Sequence, residues 1–157
     1  MKIKLIVVGK TNSKFLIVGE NEYENRLNHY CNFEQLTISE IKNGNKLSIN
    51  DLKKKEGNLI LFKIDKSDLI ILLDDKGKQY SSVDFSKFLH NKMLNSIKRL
   101  VFIVGGAYGF SDEVYARANS KISLSKMTFS HQMVRLIFKE QLYRAFTILK
   151  GEKYHHE

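Results

Sequence analysis

Two short segments in the last third of this 157-residue chain hold the residue types from which a small-molecule site is built. The first, Gly105-Gly106-Ala107-Tyr108-Gly109, follows the apolar run Val101 to Val104, and its missing side chains allow either a tight bend or a close approach of backbone to a ligand. Its spacing does not fit the Gly-x-Gly-x-x-Gly dinucleotide fingerprint, and no Gly-Lys-Ser/Thr follows, as a phosphate-binding P-loop would require. The second segment, Leu124 to Phe129, sets Ser125, Lys126 and Thr128 among Leu124, Met127 and Phe129. That mixture suits an adenosine-like ligand and suits equally an ordinary strand-to-helix loop. Two such loops after neighbouring strands argue for a ligand more strongly than either alone.

Charged and titratable groups follow. Arg135 and Lys139 stand four residues apart on a predicted helix, so they share a face, and their repulsion makes sense if an anion lies nearby. Glu140 and Arg144 have the same spacing and opposite charge, so they can pair with each other. His155 and His156 could ligate a metal, accept a proton or belong to a frayed end. Neighbouring side chains on an extended tail point apart and no acid-cysteine set stands nearby, so no metal is expected. Tyr154 favours a docked tail.

The elements that must hold these groups alternate between strand and helix. Strands are expected at Lys2 to Val8, Phe33 to Ile38, Leu69 to Leu73, Leu100 to Val104 and Lys121 to Leu124. Helices are expected from Phe15 to Tyr30, from Ser48 or Asn50 to about Lys63, from Ser82 through Phe85, Phe88, Leu89, Met93 and Ile97, in a short piece opened by Ser111, and from Ser130 to Leu149. Asp74 to Lys78 reads as a turn. The pattern predicts a single α/β domain over residues 1–157, with a mostly parallel sheet and helices on both faces. The last helix is apolar around well over half its circumference, so it is buried on several sides or forms a subunit interface, and a homodimer is expected.

Composition narrows the function classes. Hydrophobic residues make up 43% of the chain, as in a folded globular protein, and Cys31 is the only cysteine, which suits a reducing cytoplasm. The apolar run in Met1 to Gly9 is too short for a signal sequence, and no stretch approaches a membrane span. Twenty-six Lys and Arg against 17 Asp and Glu give a net charge of +9, which favours a polyanionic partner such as RNA, DNA or an anionic membrane. Lys53, Lys54 and Lys55 form the only basic run and read as the solvated face of a helix.

Val104 to Phe110, Leu124 to Arg135, Glu140 to Phe146 and the closing Tyr154-His155-His156-Glu157, in that order, resemble the RlmH family of 23S rRNA pseudouridine methyltransferases within the SPOUT superfamily. The resemblance runs collinearly from Met1 to Glu157. It implies a SPOUT-type α/β fold with a deep trefoil knot, which connection rules alone would never suggest. It also implies a homodimer, S-adenosylmethionine as methyl donor, and as acceptor the position-3 nitrogen of a pseudouridine in a hairpin loop of 23S rRNA within the ribosome. Carried over position by position, Leu73, Gly105, Leu124, Ser125, Lys126, Met127, Thr128 and Phe129 are the expected cofactor contacts. The acceptor nitrogen bears an imide proton that must leave, so a base is expected. His155 is the first candidate, with Tyr154 beside it, and Arg135 and Arg144 are expected at RNA phosphates or at the deprotonated base, Arg144 also as a structural partner. Ser130 departs from the family pattern, where proline is frequent, and its hydroxyl can cap the final helix. The rival expectations are a SPOUT methyltransferase with another RNA target and a non-catalytic RNA-binding protein.

Overall fold

The computed structural model describes residues 1–156; Glu157, the last residue of the tail motif, lies outside the described residues. Five strands, β1 (Lys2–Val8), β2 (Asn32–Ile38), β3 (Leu69–Gln79), β4 (Arg99–Val104) and β5 (Ser120–Ser123), form one parallel sheet in the order β2-β1-β4-β3-β5. The helices are α1 (Lys14–Leu27), α2 (Ile49–Phe62), α3 (Ser82–Leu94), α4 (Asp112–Arg117) and α5 (Met133–Leu149). The central strands are apolar on both faces because both are covered. Ile3, Leu5, Val7, Phe102 and Val104 pack with Phe85, Leu89, Phe138 and Leu142 of α3 and α5, whereas Ile6, Val8, Val101 and Ile103 meet Ile60 of α2 and Val114 of α4. Each connection toward the β2 edge uses a helix on the first face and each toward β5 a helix on the second, as a single crossover hand demands.

Ser48, Ser81 and Ser111 accept hydrogen bonds from the amides of Asp51, Asp84 and Val114, capping α2, α3 and α4. α3 ends at Leu94, with Ser96 in the left-handed region at φ 55, so Met93 is exposed and Ile97 lies beyond the helix. The expected apolar side therefore stops at Leu89. No residue of α5 is fully exposed, since α1 and α3 flank it on the sheet, and burial on several sides accounts for its apolar circumference within one chain. Among the described residues no helix is long and apolar enough to cross a membrane.

β3 departs most from expectation. It runs on through Asp74 to Gln79 instead of turning after Leu73. The turn chemistry is present, since the Lys76 amide donates to Asp74 Oδ1 at 2.8 Å, but it produces an irregularity inside the strand. Leu73 pairs with Ile122, and Lys78 pairs with that same residue. Gly77 makes the passage possible: a Cβ there would lie 2.6 Å from the Ile122 backbone and 2.7 Å from that of Lys121.

Candidate active site

The C-terminal ends of β4 and β5 and the irregular middle of β3 converge on a cavity of about 670 Å³, bounded by Leu73 to Lys76 of β3, by Val104 and Ile122, and by the loops that follow β4 and β5. That volume falls in the range of small-molecule and cofactor sites. In the β4 loop the Gly109 amide donates to the Gly106 carbonyl at 3.1 Å, and Gly109 adopts φ 85. A Cβ on Gly105 would stand 3.1 Å from the Phe110 ring and 3.2 Å from the Gly109 carbonyl oxygen. The glycine segment is thus both things its sequence allowed, a tight bend and a backbone wall of the cavity.

The β5 loop is fixed by its own hydroxyls. Ser123 Oγ donates to the Ser125 carbonyl at 2.8 Å, and Ser125 Oγ accepts from the Met127 amide at 2.9 Å. Ser130 Oγ accepts from the Met133 amide at 3.1 Å and caps the start of α5, so the loop closes without proline. Leu73, Gly105, Leu124, Ser125, Met127, Thr128 and Phe129 all line the cavity, while Lys126 is exposed and outside the lining. Met127 and Tyr108, 78% and 57% exposed, stand as apolar groups on opposite loops.

Several lining residues escaped the sequence. Asp74, read as part of a turn, faces the cavity and accepts a hydrogen bond from the Tyr115 hydroxyl. Burial opposes its charge, yet Tyr115 and the Lys76 amide outweigh it and hold the carboxyl below the usual range. Burial and then Asp74 push the Tyr115 phenol up, so it stays a donor. Lys53 lines the cavity while Lys54 and Lys55 are exposed, so one member of the basic run is set apart by its helical phase. An acidic pair directly after a buried parallel strand was the available signal for Asp74.

The cationic face of α5 is corrected. Arg135 and Lys139 are fully buried. The Arg135 guanidinium donates to the carbonyls of Val8 (2.7 Å), Gly9 (2.9 Å) and His131 (3.1 Å) and to Thr11 Oγ1 (3.1 Å). Its donors are spent on the end of β1, beyond the reach of an RNA phosphate. The anion that their spacing called for is internal: Lys139 Nζ donates to Glu20 Oε2 at 2.7 Å and also to Glu24 of α1. Burial lowers the Arg135 guanidinium, and Glu20 and Glu40 oppose that shift.

Glu140 and Arg144 do pair, with Arg144 Nε 3.1 Å from Glu140 Oε1. The tail is docked on this pair. Tyr154 lies 3.1 Å from both the Tyr23 hydroxyl and Glu140 Oε1, its ring packs edge-on to Tyr143, and the Arg144 guanidinium sits 4.7 Å from its centroid. His155 Nδ1 lies 3.4 Å from Arg144 Nη1. None of these residues lines the cavity. Arg144 follows the cavity residue Val134 by ten positions, about 15 Å of helical rise. The site residues thus fall into two groups, one on the cavity and one on the far half of α5. Among the described residues no cluster of three His, Cys, Asp or Glu is arranged to hold a metal.

A family model described as a predicted SPOUT methyltransferase matches residues 1–155. The chain belongs to the SPOUT methyltransferase family. Proteins named ribosomal RNA large subunit methyltransferase H are similar along the whole length: one from Parabacteroides distasonis is 57% identical over 157 residues, covering 100% of both chains. Another, from Christiangramia forsetii, is 56% identical over 156 residues, 99% of each. A solved structure of a probable methylase family protein from Haemophilus influenzae Rd KW20 superposes with a TM-score of 0.54 at 10% identity, covering 99% of this chain and 70% of that one, a likeness of fold alone. Membership in the SPOUT methyltransferase family carries with it the knotted topology expected of the chain, and the glycine and β5 loops are the parts of that fold which frame its cavity.

Proposed function

We propose that this protein transfers a methyl group from S-adenosylmethionine to the position-3 nitrogen of a pseudouridine in a hairpin loop of 23S rRNA, on the ribosome, as a cytoplasmic homodimer. The observation that carries the proposal is the cavity framed by the middle of β3 and the loops after β4 and β5, in a chain 57% identical over its full length to a protein named for large-subunit rRNA methylation. The residues fit the donor. Leu124, Met127 and Phe129 offer apolar walls to an adenine, while Gly105, Ser125 and Thr128 offer backbone and hydroxyl groups to its polar edges. When bound, the donor supplies an electrophilic methyl group on a sulfonium.

The protein's part is to hold the acceptor nitrogen in line with that methyl and to exclude water from the approach. The net charge of +9 favours the RNA electrostatically. Arg144, Tyr154 and His155 form an ordered patch too far along α5 to serve their own cavity, so they are assigned to the acceptor held at a second copy's cavity. Phe15 and Val18 on α1, 65% and 67% exposed beside α5, are apolar surface for that second copy to cover. Arg135 is assigned to positioning, tying α5 to the loop after β1.

Incubation of labelled S-adenosylmethionine with ribosomes lacking the modification, followed by mapping of the labelled nucleotide, tests the proposal. Label is expected on one pseudouridine of 23S rRNA. Label on another nucleotide overturns the target, and no label overturns the activity.

A further inference from the structure

The order of the sheet leaves a second chemical environment beside the cavity. β1 and β4 are neighbours, with Val7 beside Val104, and their chains leave toward opposite faces, β1 into α1 and β4 into α4. Such a reversal opens a crevice at the C-terminal ends of the strands. The cavity lies over β3, β4 and β5, so the crevice over β1 and β4 adjoins it along the β4 loop.

Two carboxylates press on the glycines at this crevice. A Cβ on Gly106 would lie 2.6 Å from Glu56 Oε2 and 2.9 Å from Oε1, and a Cβ on Gly9 would lie 2.5 Å from Glu40 Oε1. Gly106 and Lys53, one turn before Glu56 on α2, line the cavity; Glu56 and Glu40 stand outside that lining, on the crevice side of the β4 loop. Other carboxylates buried against this sheet are held by a cation or by hydrogen-bond donors, as Glu20 is by Lys139, Asp68 by Arg99 and Asp74 by Tyr115. Half-buried Glu56 faces Glu40 instead. Burial and then Glu40 push its carboxyl up, and among the described residues no cation or hydrogen-bond donor offsets them. Glu40, from the loop after β2, also acts on Arg135 of α5. α4 packs on α2 through Ser111 against Gly57 and brings no charged group to bear on Glu56. A carboxylate with no cation, set against the backbone of a cavity loop, is placed to exchange protons.

We propose that Glu56 is the general base that removes the imide proton of the acceptor, which enters over the ends of β1 and β4. The inference rests on the methyl-transfer reading above and moves the base from the tail imidazole of His155 to the sheet. The acceptor nitrogen gives its proton to a Glu56 carboxylate oxygen. Its freed electron pair then bonds to the methyl carbon while the carbon–sulfur bond breaks onto sulfur, leaving the N-methylated base, a neutral thioether and a protonated Glu56. Glu40 keeps the Glu56 carboxyl basic enough to take the proton, so it is a positioning residue.

Single-turnover methylation of unmodified ribosomes is measured against pH for the wild type, Glu56→Gln, Glu56→Asp, Glu40→Gln and His155→Ala. Calorimetric titration of each protein with S-adenosylmethionine reports on the folded cavity independently of activity. Glu56→Gln is expected to lose about 100-fold in rate and the acid limb of the profile, with donor affinity unchanged. Glu56→Asp is expected to keep the limb at a reduced rate, and Glu40→Gln to move the limb to lower pH, because a neighbouring negative charge has been removed. A Glu56→Gln rate and profile like those of the wild type overturn the assignment, as does loss of the acid limb in His155→Ala alone. A wild type that transfers no methyl group overturns the activity and this assignment together, whereas a wild type that labels another nucleotide with the same Glu56 dependence overturns the target only.

Discussion

Arg135 and Arg144 stand on the same helix and do different work. Arg135 gives its guanidinium to the carbonyls of Val8, Gly9 and His131, and nothing replaces those bonds if it is truncated. Arg144 pairs with Glu140 at the edge of solvent, where a salt bridge adds little. Arg135→Ala is therefore expected to cost about 3 kcal/mol of unfolding free energy. Arg144→Ala is expected to cost less than about 1 kcal/mol while weakening ribosome binding. Denaturant midpoints and a binding titration check both, and equal destabilisation by the two variants would sink the distinction. The sequence placed both residues on one helix. It could not show which faced inward, because a helix apolar nearly all round gives no phase from which to read its buried side.

At the scale of elements, strands and helices were largely legible because the alternation of short apolar runs with periodic segments survives in a sheet covered on both faces. β3 was the exception. Asp74, Asp75 and Gly77 are turn formers by type, and only the pairing of Lys78 and Gln79 with Ile122 and Ser123 of β5, 44 residues later in the chain, keeps the segment extended. Propensity has no access to such a partner. The same fact hid Asp74 from the site, since a residue assigned to a turn is not expected to face a cavity. Gly77→Ala tests the crossing. Its Cβ would meet backbone that has no room to yield, so a loss of about 3 kcal/mol and a lowered melting temperature are expected, against about 1 kcal/mol for Gly151→Ala, where the Cβ meets nothing and only the left-handed φ of 69 is strained. An unchanged melting temperature for Gly77→Ala would show that the passage can widen.

For the whole molecule, the net charge of +9 gave a class of partner, the cavity gave a class of ligand, and neither alone gave the reaction. The double pairing of Ile122 carries a further consequence, one of time. β5 is made after β3, yet it has to be received between Leu73 and Lys78, two points of a strand already synthesised. Long-range pairings of this kind are slow. The chain contains no proline, so the commonest cause of a slow refolding phase in small proteins is missing from it. Stopped-flow refolding from denaturant is expected to show a phase longer than about one second that prolyl isomerase does not accelerate. Full recovery within milliseconds would mean that β5 arrives without obstruction. Ile122 is also a wall of the cavity, so the ligand site is complete only once β5 is in place, and a newly made chain stays blind to its ligand until that strand is home.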